Sequence, residues 1–200
     1  MCAVLSLLGP QTASAEHIAI NDNRVAAGTL AGGTLTLRLE ARAGEWHPDG
    51  ESQPGVTVRA LAVEGGPLQI PGPLVRVREG TSIHLVFRNR FAEALELRGF
   101  YSRPARAPAD TRGVLIPGGE TRELTFVAGG SGTYYYWATS NPGTPLGERF
   151  GMDTQLSGAF VIDPRHGQPR PDRVLVAGFW NNHTASDAPT AARYVINGRS

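Results

Sequence analysis

The sequence predicts an all-β fold, and three observations support that prediction. The 25 glycines and 15 prolines together make a fifth of the 200 residues, which is typical of short strands joined by tight turns. Apolar and polar residues alternate along several segments, as they do in half-buried strands. Apolar residues at helical spacing never continue for more than about two turns. These features together favour a Greek-key β-sandwich or barrel.

The alternation locates the strands in order along the chain. It is clearest in residues 34–40, where Leu35, Leu37 and Leu39 alternate with polar residues. Residues 75–78 and 83–88 predict two strands, which form a hairpin or a corner around the turn between them. The other segments with this pattern are 56–59, 95–98, 122–127, 133–137 and 156–162.

Composition and charge limit the classes of function. Nineteen basic and eighteen acidic side chains give a net charge of +1, and like charges do not form runs. The sequence therefore predicts neither a nucleic-acid-binding surface nor attraction to an anionic membrane. No apolar run approaches the ~18 residues that a membrane-spanning helix needs, so we expect no membrane span.

Residues 1–15 have the pattern of the end of a secretory signal peptide. An apolar run from Cys2 to Leu8 precedes a Gly-Pro pair and the small-residue pattern Ala13-Ser14-Ala15, although a basic start is missing. The alternative interpretation is a buried N-terminal strand. A cleaved leader implies export to the periplasm or the extracellular space. The mature chain from about Glu16 then has no cysteine, hence neither a disulfide nor a thiolate ligand.

The composition changes near the C-terminus. Residues 166–172 are proline-rich and predict a linker, after which residues 173–180 begin a new apolar strand. We interpret residues 16–165 as one domain. Residues 173–200 are then the start of a second, truncated domain, or alternatively edge strands that the first domain uses.

Four blocks of the sequence carry a resemblance to a known family. They are PGPLVRVREG at residues 71–80, FRNR at 87–90, GTYYY at 132–136 and GAFVI at 158–162. In order and spacing they resemble the N-terminal plastocyanin-like (cupredoxin) domain of a multicopper oxidase, over most of residues 20–165. The segment INGRS at 196–200 resembles the turn that opens the second domain of such proteins. The resemblance implies a cupredoxin-type Greek-key fold and, for the family, copper-dependent oxidoreductase activity.

The resemblance also implies where copper ligands belong. In the family, this domain supplies histidines to a trinuclear copper cluster through an H-W-H-G motif and a Y-H-x-H motif. These ligand positions fall on Glu96, Arg98, Trp137 and Thr139, so all four carry other residues. Residues i and i+2 of a strand share a face. We therefore expect Glu96 and Arg98 to form an ion pair beside Trp137 and Thr139, on a candidate interface without metal or catalytic residues.

The remaining histidines and aromatic residues give weaker signals. The histidines show neither His-x-His nor His-x-x-x-His spacing, so each is predicted to be solvent-facing or hydrogen-bonded; they are His17, His47, His84, His166 and His183. The aromatic row at residues 134–137 could stack a ligand, but alternation sends its members to opposite faces. Trp46, in the loop WHPDG, could line a ligand site, although packing over one end of the barrel is the favoured interpretation.

Two hypotheses for function follow. The first is a non-catalytic cupredoxin module of an exported protein, which packs against following cupredoxin domains or another protein as a scaffold. It predicts that the purified chain retains far less than one equivalent of Cu(II) and lacks a blue copper band. The alternative is the N-terminal part of a copper-dependent oxidoreductase whose copper site lies in a further, C-terminal domain. In both, the four positions above hold no copper, and copper is a cofactor of the family.

Overall fold

The computed structural model describes residues 15–104, 113–167, 172–180 and 193–200. These residues form fourteen strands and two short 3-10 helices, Leu146–Glu148 and Gly151–Gln155. The strands are β1 (Ile18–Ile20), β2 (Thr29–Ala31), β3 (Thr34–Trp46), β4 (Val56–Val63), β5 (Leu68–Ile70), β6 (Gly72–Arg78), β7 (Ser82–Asn89), β8 (Leu95–Arg98), β9 (Val114–Ile116), β10 (Thr121–Val127), β11 (Gly132–Thr139), β12 (Ser157–Asp163), β13 (Ala177–Trp180) and β14 (Arg193–Ile196).

The strands form two main sheets. The first has the order β1-β5-β4-β3-β7-β10, with β2 paired to β3, and the second has the order β6-β12-β11-β8-β9. The pairs β1–β5, β3–β7 and β6–β12 are parallel, and the other neighbours are antiparallel. A separate pair, β13–β14, lies near the C-terminus. The prediction of an all-β sandwich is confirmed.

The turn after β6 is a corner between the two sheets and not a hairpin. β6 belongs to the second sheet and β7 to the first. Gly80 in this turn has a φ of 89°, a left-handed conformation that glycine adopts without steric cost. The three-residue strands β1, β2, β5 and β9 were not predicted, because three residues show too little alternation to be recognised.

The main core lies between the sheets. Leu35, Leu37 and Leu39 of β3 are each 3% exposed or less, as their alternation predicts. They pack in one cluster with Phe87 of β7 and Phe160 of β12. The burial of these side chains by both sheets supplies the hydrophobic free energy that holds the sandwich together.

The aromatic row at residues 134–137 is part of this packing and does not form one stacking surface. Tyr136 is fully buried in the core, and its hydroxyl donates a hydrogen bond to the carbonyl oxygen of Pro73 at 2.6 Å. Burial raises the pKa of Tyr136 because the phenolate would be desolvated. Tyr135 and Trp137 point to the opposite side of β11, as alternation requires.

The C-terminal segments lie against the rest of the chain. Val174 and Val176 are buried against the second sheet, and Val195 is buried in a cluster with Trp46. The indole nitrogen of Trp46 donates to the carbonyl oxygen of Gly198 at 3.0 Å. Trp46 therefore serves packing, which was the favoured interpretation, while the division of the chain into domains stays a prediction.

Several predicted features fall on residues that the structure does not describe. These are residues 1–14 of the predicted signal peptide, residues 168–171 of the predicted linker, and His183. Among the residues that are described, no helix is long and apolar enough to cross a membrane.

Candidate functional site at the ends of β8 and β11

The structure brings together the four residues to which the resemblance draws attention. β8 and β11 are antiparallel, with Arg98 opposite Trp137 and Glu96 opposite Thr139. Residues directly opposite each other share a face of the sheet, and so do residues i and i+2 of one strand. All four therefore lie on one face, while the residues between them on each strand face the core. We call this surface the β8–β11 face.

Glu96 uses both oxygens of its carboxylate. Oε1 accepts a hydrogen bond from Nη2 of Arg98 at 2.8 Å, and Oε2 accepts one from the backbone N–H of Gly143 at 2.7 Å. The expected ion pair forms, and the same carboxylate holds the loop that follows β11. Glu96 is only 9% exposed, so these bonds satisfy a buried charge.

Two guanidinium groups contact the indole of Trp137. The Cζ atom of Arg98 lies 5.4 Å from the ring centroid, and that of Arg149 lies 5.1 Å from it. Tryptophan is the aromatic side chain that binds cations best. The ring therefore offsets part of the cost of holding two positive charges on a largely buried surface.

Arg149 lies between the two 3-10 helices and is 5% exposed. Its Nη1 donates to three backbone carbonyl oxygens: Asp153 at 2.8 Å, Leu156 at 3.3 Å and Ala138 at 3.4 Å. Burial lowers the pKa of Arg149, because water no longer solvates the cation. The carbonyl oxygens take the place of that water, so Arg149 ties the segment 140–156 to β11.

Asp153 connects three parts of the structure. Its Oδ1 accepts a hydrogen bond from Nη1 of Arg59, in β4, at 2.7 Å. Its Oδ2 accepts from the backbone N–H of Ser140 at 2.6 Å, the hydroxyl of Ser140 at 2.8 Å and the hydroxyl of Thr139 at 3.2 Å. Asp153 is 7% exposed, so this network stabilises a buried carboxylate and positions the end of β11.

The four residues do not provide the donor set of a copper cluster. Copper sites in proteins use neutral imidazole nitrogen or thiolate sulfur, whereas the side chains of Arg98 and Trp137 have no lone pair to offer. Both oxygens of Glu96 already accept hydrogen bonds, and the hydroxyl of Thr139 donates to Asp153. The positive charge of Arg98 would also repel a cupric ion.

A cleft of about 520 Å³ opens beside the β8–β11 face. Residues of β4, the end of β11 and the segment 144–153 line it, together with Trp180. Phe150 and Met152 of its lining are 58% and 40% exposed. Aromatic and methionine side chains beside arginine are enriched in protein–protein interfaces.

Two of the functional groups described here were not predicted from the sequence. Arg149 and Asp153 belong to a segment of loops and short helices, where charged residues are usually exposed. Their burial results from the packing of this segment on β11 and β4. Sequence periodicity gives no signal for that packing.

The structure also gathers histidines that the sequence spacing did not connect. His17, His47 and Glu51 place ligand atoms within 4.8 Å of one another. His17 and His47 are thirty residues apart in sequence, but a parallel bridge between His17 and Glu45 brings them together. Glu45 and His47 flank Trp46 at the end of β3, so alternation sets a carboxylate and an imidazole on one side of the chain. This pattern is the signal that could have indicated the site.

His84 and His166 follow the interpretation made from the sequence. The Nε2 atom of His84 lies 2.8 Å from a carboxylate oxygen of Glu123 on the exposed face of the first sheet. His166 is exposed.

A double-mutant cycle tests the ion pair on the β8–β11 face. We expect a coupling of about 0.5–1 kcal/mol between Glu96 and Arg98, because 28% of the Arg98 side chain is exposed and solvent screens the pair. Glu96→Ala should destabilise more than Arg98→Ala, since the N–H of Gly143 also loses its acceptor. Urea unfolding of both single variants and the double variant measures the coupling.

The control for this cycle is the exposed pair of Arg122 and Glu120, whose side chains are 45% and 47% exposed. Its coupling should be smaller than that of Glu96 and Arg98. Equal losses from Glu96→Ala and Arg98→Ala would contradict the described role of the Gly143 hydrogen bond.

Comparison with known proteins identifies proteins that are similar to this chain in sequence or in fold. No protein-family model matches the chain. A curated relative, described as a probable nitrite reductase-hydroxylamine oxidoreductase fusion protein of Kuenenia stuttgartiensis, is 28% identical over 150 residues. The match covers 70% of this chain and 16% of that protein, so the chain spans a small part of the relative's length.

Solved structures of copper proteins share the architecture. The blue copper oxidase from Nitrosomonas europaea superposes with a TM-score of 0.62 at 18% identity, over 83% of this chain and 54% of that one. Lac15 from a marine microbial metagenome gives 0.57 at 19% identity, over 80% and 42%. A multicopper oxidase from Campylobacter jejuni gives 0.51 at 22% identity, over 78% and 31%. The chain therefore has the cupredoxin-like fold found in multicopper oxidases.

Proposed function

We propose that this chain is a non-catalytic cupredoxin module of an exported protein, in which it acts as a scaffold that packs against a neighbouring domain or another protein. The observation that carries the proposal is the composition of the β8–β11 face. Where the resemblance expects four histidines, this face has an ion pair, an indole and an engaged hydroxyl. None of these groups suits the copper chemistry of the family.

Unsatisfied and exposed groups near this face support a role in packing. The Nε atom of Arg98 is buried and has no hydrogen-bond partner among the described residues. A buried donor without an acceptor costs about 1–3 kcal/mol, and local costs of this kind occur at functional surfaces. The exposed side chains of Phe150 and Met152 in the adjacent cleft offer apolar area to a partner.

Export is supported by the sequence of residues 2–15, which follows the order of a secretory leader. The balance of 19 basic and 18 acidic side chains disfavours nucleic acid as the partner. The partner that this module would bind is therefore a protein surface with apolar side chains that face Phe150 and Met152.

Paramagnetic broadening by Cu(II) tests the proposal at the level of individual residues. Cu(II) broadens the nuclear magnetic resonance signals of nuclei close to it. We expect the amide signals of residues 95–98, 137–141 and 143 to keep their intensity when the isotope-labelled chain is titrated with Cu(II). The reason is that Arg98 and Trp137 offer no lone pair and Glu96 is already engaged.

The matched control is Zn(II), which is diamagnetic and should cause no paramagnetic broadening in the same titration. Selective loss of the signals of residues 95–98, 137–141 and 143 at one equivalent of Cu(II) would contradict the proposal. Broadening confined to other residues would leave the β8–β11 face without copper, as proposed.

A second candidate function is the N-terminal part of a copper-dependent oxidoreductase, whose copper lies in a further domain. One observation favours it: the curated relative is described as a probable nitrite reductase-hydroxylamine oxidoreductase fusion protein, of which the match covers 16%. Metal analysis of the protein as its cell produces it separates the two candidates. Copper near stoichiometry in that product would support the second candidate, and its absence would support the first.

A further inference from the structure

We propose that His17, His47 and Glu51 form a binding site for a divalent transition-metal ion of the Zn²⁺ class, separate from the β8–β11 face. Two imidazoles and one carboxylate are a donor set that zinc uses in proteins, with a fourth position left to water. The three side chains place one ligand atom each within 4.8 Å of the others. They come from the segment before β1 and from the loop that follows β3.

The distances between the donor atoms are close to those of a metal site. With bonds of about 2.0–2.2 Å, two ligands of a tetrahedral zinc ion stand roughly 3.3–3.6 Å apart. The Nε2 atom of His17 lies 3.6 Å from Oε1 of Glu51. The ring centroids of His17 and His47 are 5.9 Å apart, with 31° between the ring planes. Since His17 and Glu51 are exposed, their side chains have room to rotate toward His47.

His47 is already oriented as a ligand. Its Nδ1 lies 2.9 Å from the backbone carbonyl oxygen of Gln53. A carbonyl only accepts, so in the neutral imidazole Nδ1 carries the proton and Nε2 keeps its lone pair. Hydrogen bonding of the second imidazole nitrogen to a carbonyl or carboxylate is the usual outer contact of a metal-bound histidine. The side chain of His47 is only 16% exposed, which restricts its rotation.

Backbone hydrogen bonds within the loop and to the C-terminal residue fix the loop that carries His47 and Glu51. The N–H of Gly50 donates to the carbonyl of His47 at 3.2 Å, and the N–H of Gln53 donates to that of Gly50 at 3.0 Å. The N–H of Ser200 donates to the carbonyl of Pro48 at 3.2 Å. These bonds reduce the conformational entropy that metal binding would otherwise have to remove.

His17 is brought to the same place by strand pairing. It forms a parallel bridge with Glu45, and the N–H of Glu45 donates to the carbonyl of Glu16 at 2.8 Å. The Oε1 atom of Glu45 lies 3.9 Å from Nε2 of His47. With Glu51 it gives two carboxylates around two neutral imidazoles, so the charge of a divalent ion would be balanced.

Zinc affinity measured by competition with a chromogenic chelator, near neutral pH, tests this site. We expect the parent chain to bind one equivalent of Zn²⁺. Imidazole donors bind Cu²⁺ at least as tightly, so the expectation of low copper retention would then hold for the β8–β11 face and not for the whole chain. Loss of an outer-shell partner alone typically weakens metal affinity by about 10–100-fold, so His17→Ala and His47→Ala should each raise the Kd by at least about tenfold. Glu51→Gln should act in the same direction, because the amide oxygen is neutral.

His84→Ala is the matched control. His84 also pairs with a carboxylate, that of Glu123 at 2.8 Å, but lies outside the gathered group of three ligands. Its replacement should leave the zinc affinity unchanged. All variants are compared again in a Cys2→Ser background, because a cysteine is itself a strong zinc ligand.

The proposal also predicts the pH dependence of zinc binding. Protons compete with the metal ion for the imidazole nitrogens, so zinc affinity should fall on acidification. The double variant His17→Ala/His47→Ala, with a circular dichroism spectrum equal to that of the parent, should have lost this binding. Equal zinc affinity in the double variant and the parent would overturn the proposal, and so would a loss in His84→Ala as large as that in His47→Ala.

Discussion

Replacing Asp153 with alanine is expected to lower the free energy of unfolding by about 3 kcal/mol, a typical cost of removing one partner of a buried ion pair. Arg59, whose side chain is 14% exposed, would lose the carboxylate oxygen 2.7 Å from its Nη1. The N–H of Ser140 would lose its acceptor at 2.6 Å as well. The pair of Arg59 with Glu93 remains. The expected loss therefore lies at the lower end of the costs known for buried ion pairs that lose one partner.

Urea unfolding of Asp153→Ala, Arg59→Met and the double variant measures this effect. Arg59→Met retains an unbranched side chain but removes the charge. The loss of unfolding free energy in the double variant should therefore be smaller than the sum of the losses in the two single variants, because no unpaired guanidinium is left behind.

Asp22→Ala provides the matched control for the loss of a carboxylate. Asp22 pairs with Arg199 at 2.6 Å, but the two side chains are 48% and 55% exposed, so solvent screens the pair and the change should cost much less than Asp153→Ala. If Asp153→Ala were no more destabilising than Asp22→Ala, the network around Asp153 would not stabilise the end of β11.

The strands of the sandwich could be predicted where the pattern is long. Leu35, Leu37 and Leu39 occupy one side of β3 because a strand has a period of two residues, and a sheet buries one side. β8 begins and ends at the predicted residues, 95 and 98. The three-residue strands depend on their pairing partners, and a sequence without tertiary contacts does not show those partners.

The site could be predicted only in part, for a related reason. The ion pair of Glu96 and Arg98 follows from their spacing of two residues, and the position of β11 beside β8 follows from the fold that the resemblance implies. Arg149 comes from an irregular segment, whose burial is decided by packing. His17 and His47 meet through the bridge between His17 and Glu45, a long-range contact that adjacent sequence does not encode.

Replacing Arg149 with alanine should lower the free energy of unfolding by about 2–4 kcal/mol, from lost hydrogen bonds and a residual cavity. Nη1 of Arg149 serves three carbonyl oxygens, and its guanidinium lies 5.1 Å from the ring centroid of Trp137. Burial has already removed the water that would otherwise solvate this cation, as its lowered pKa indicates. The carbonyl oxygens and the indole must therefore supply most of its stabilisation.

Arg149→Met separates hydrogen bonding from packing. Methionine keeps an unbranched apolar side chain against Trp137 but donates no hydrogen bond, so it should destabilise less than alanine and still lie below the parent. Arg122→Ala is the control for the loss of an exposed arginine, since 45% of its side chain is exposed. Its effect should stay within about 0.5 kcal/mol.

Hydrogen exchange shows where the loss of Arg149 acts. The N–H of Ser140 bonds to Asp153 and that of Gly143 bonds to Glu96, and both belong to the segment that Arg149 ties to β11. In Arg149→Ala these two amides should exchange faster, while amides of β3 follow only the change in global stability. Unchanged exchange at Ser140 and Gly143, or an Arg149→Met variant as stable as the parent, would show that the guanidinium does not hold this segment. The β8–β11 face and the cleft beside it would then lack the rigid support that a packing surface needs.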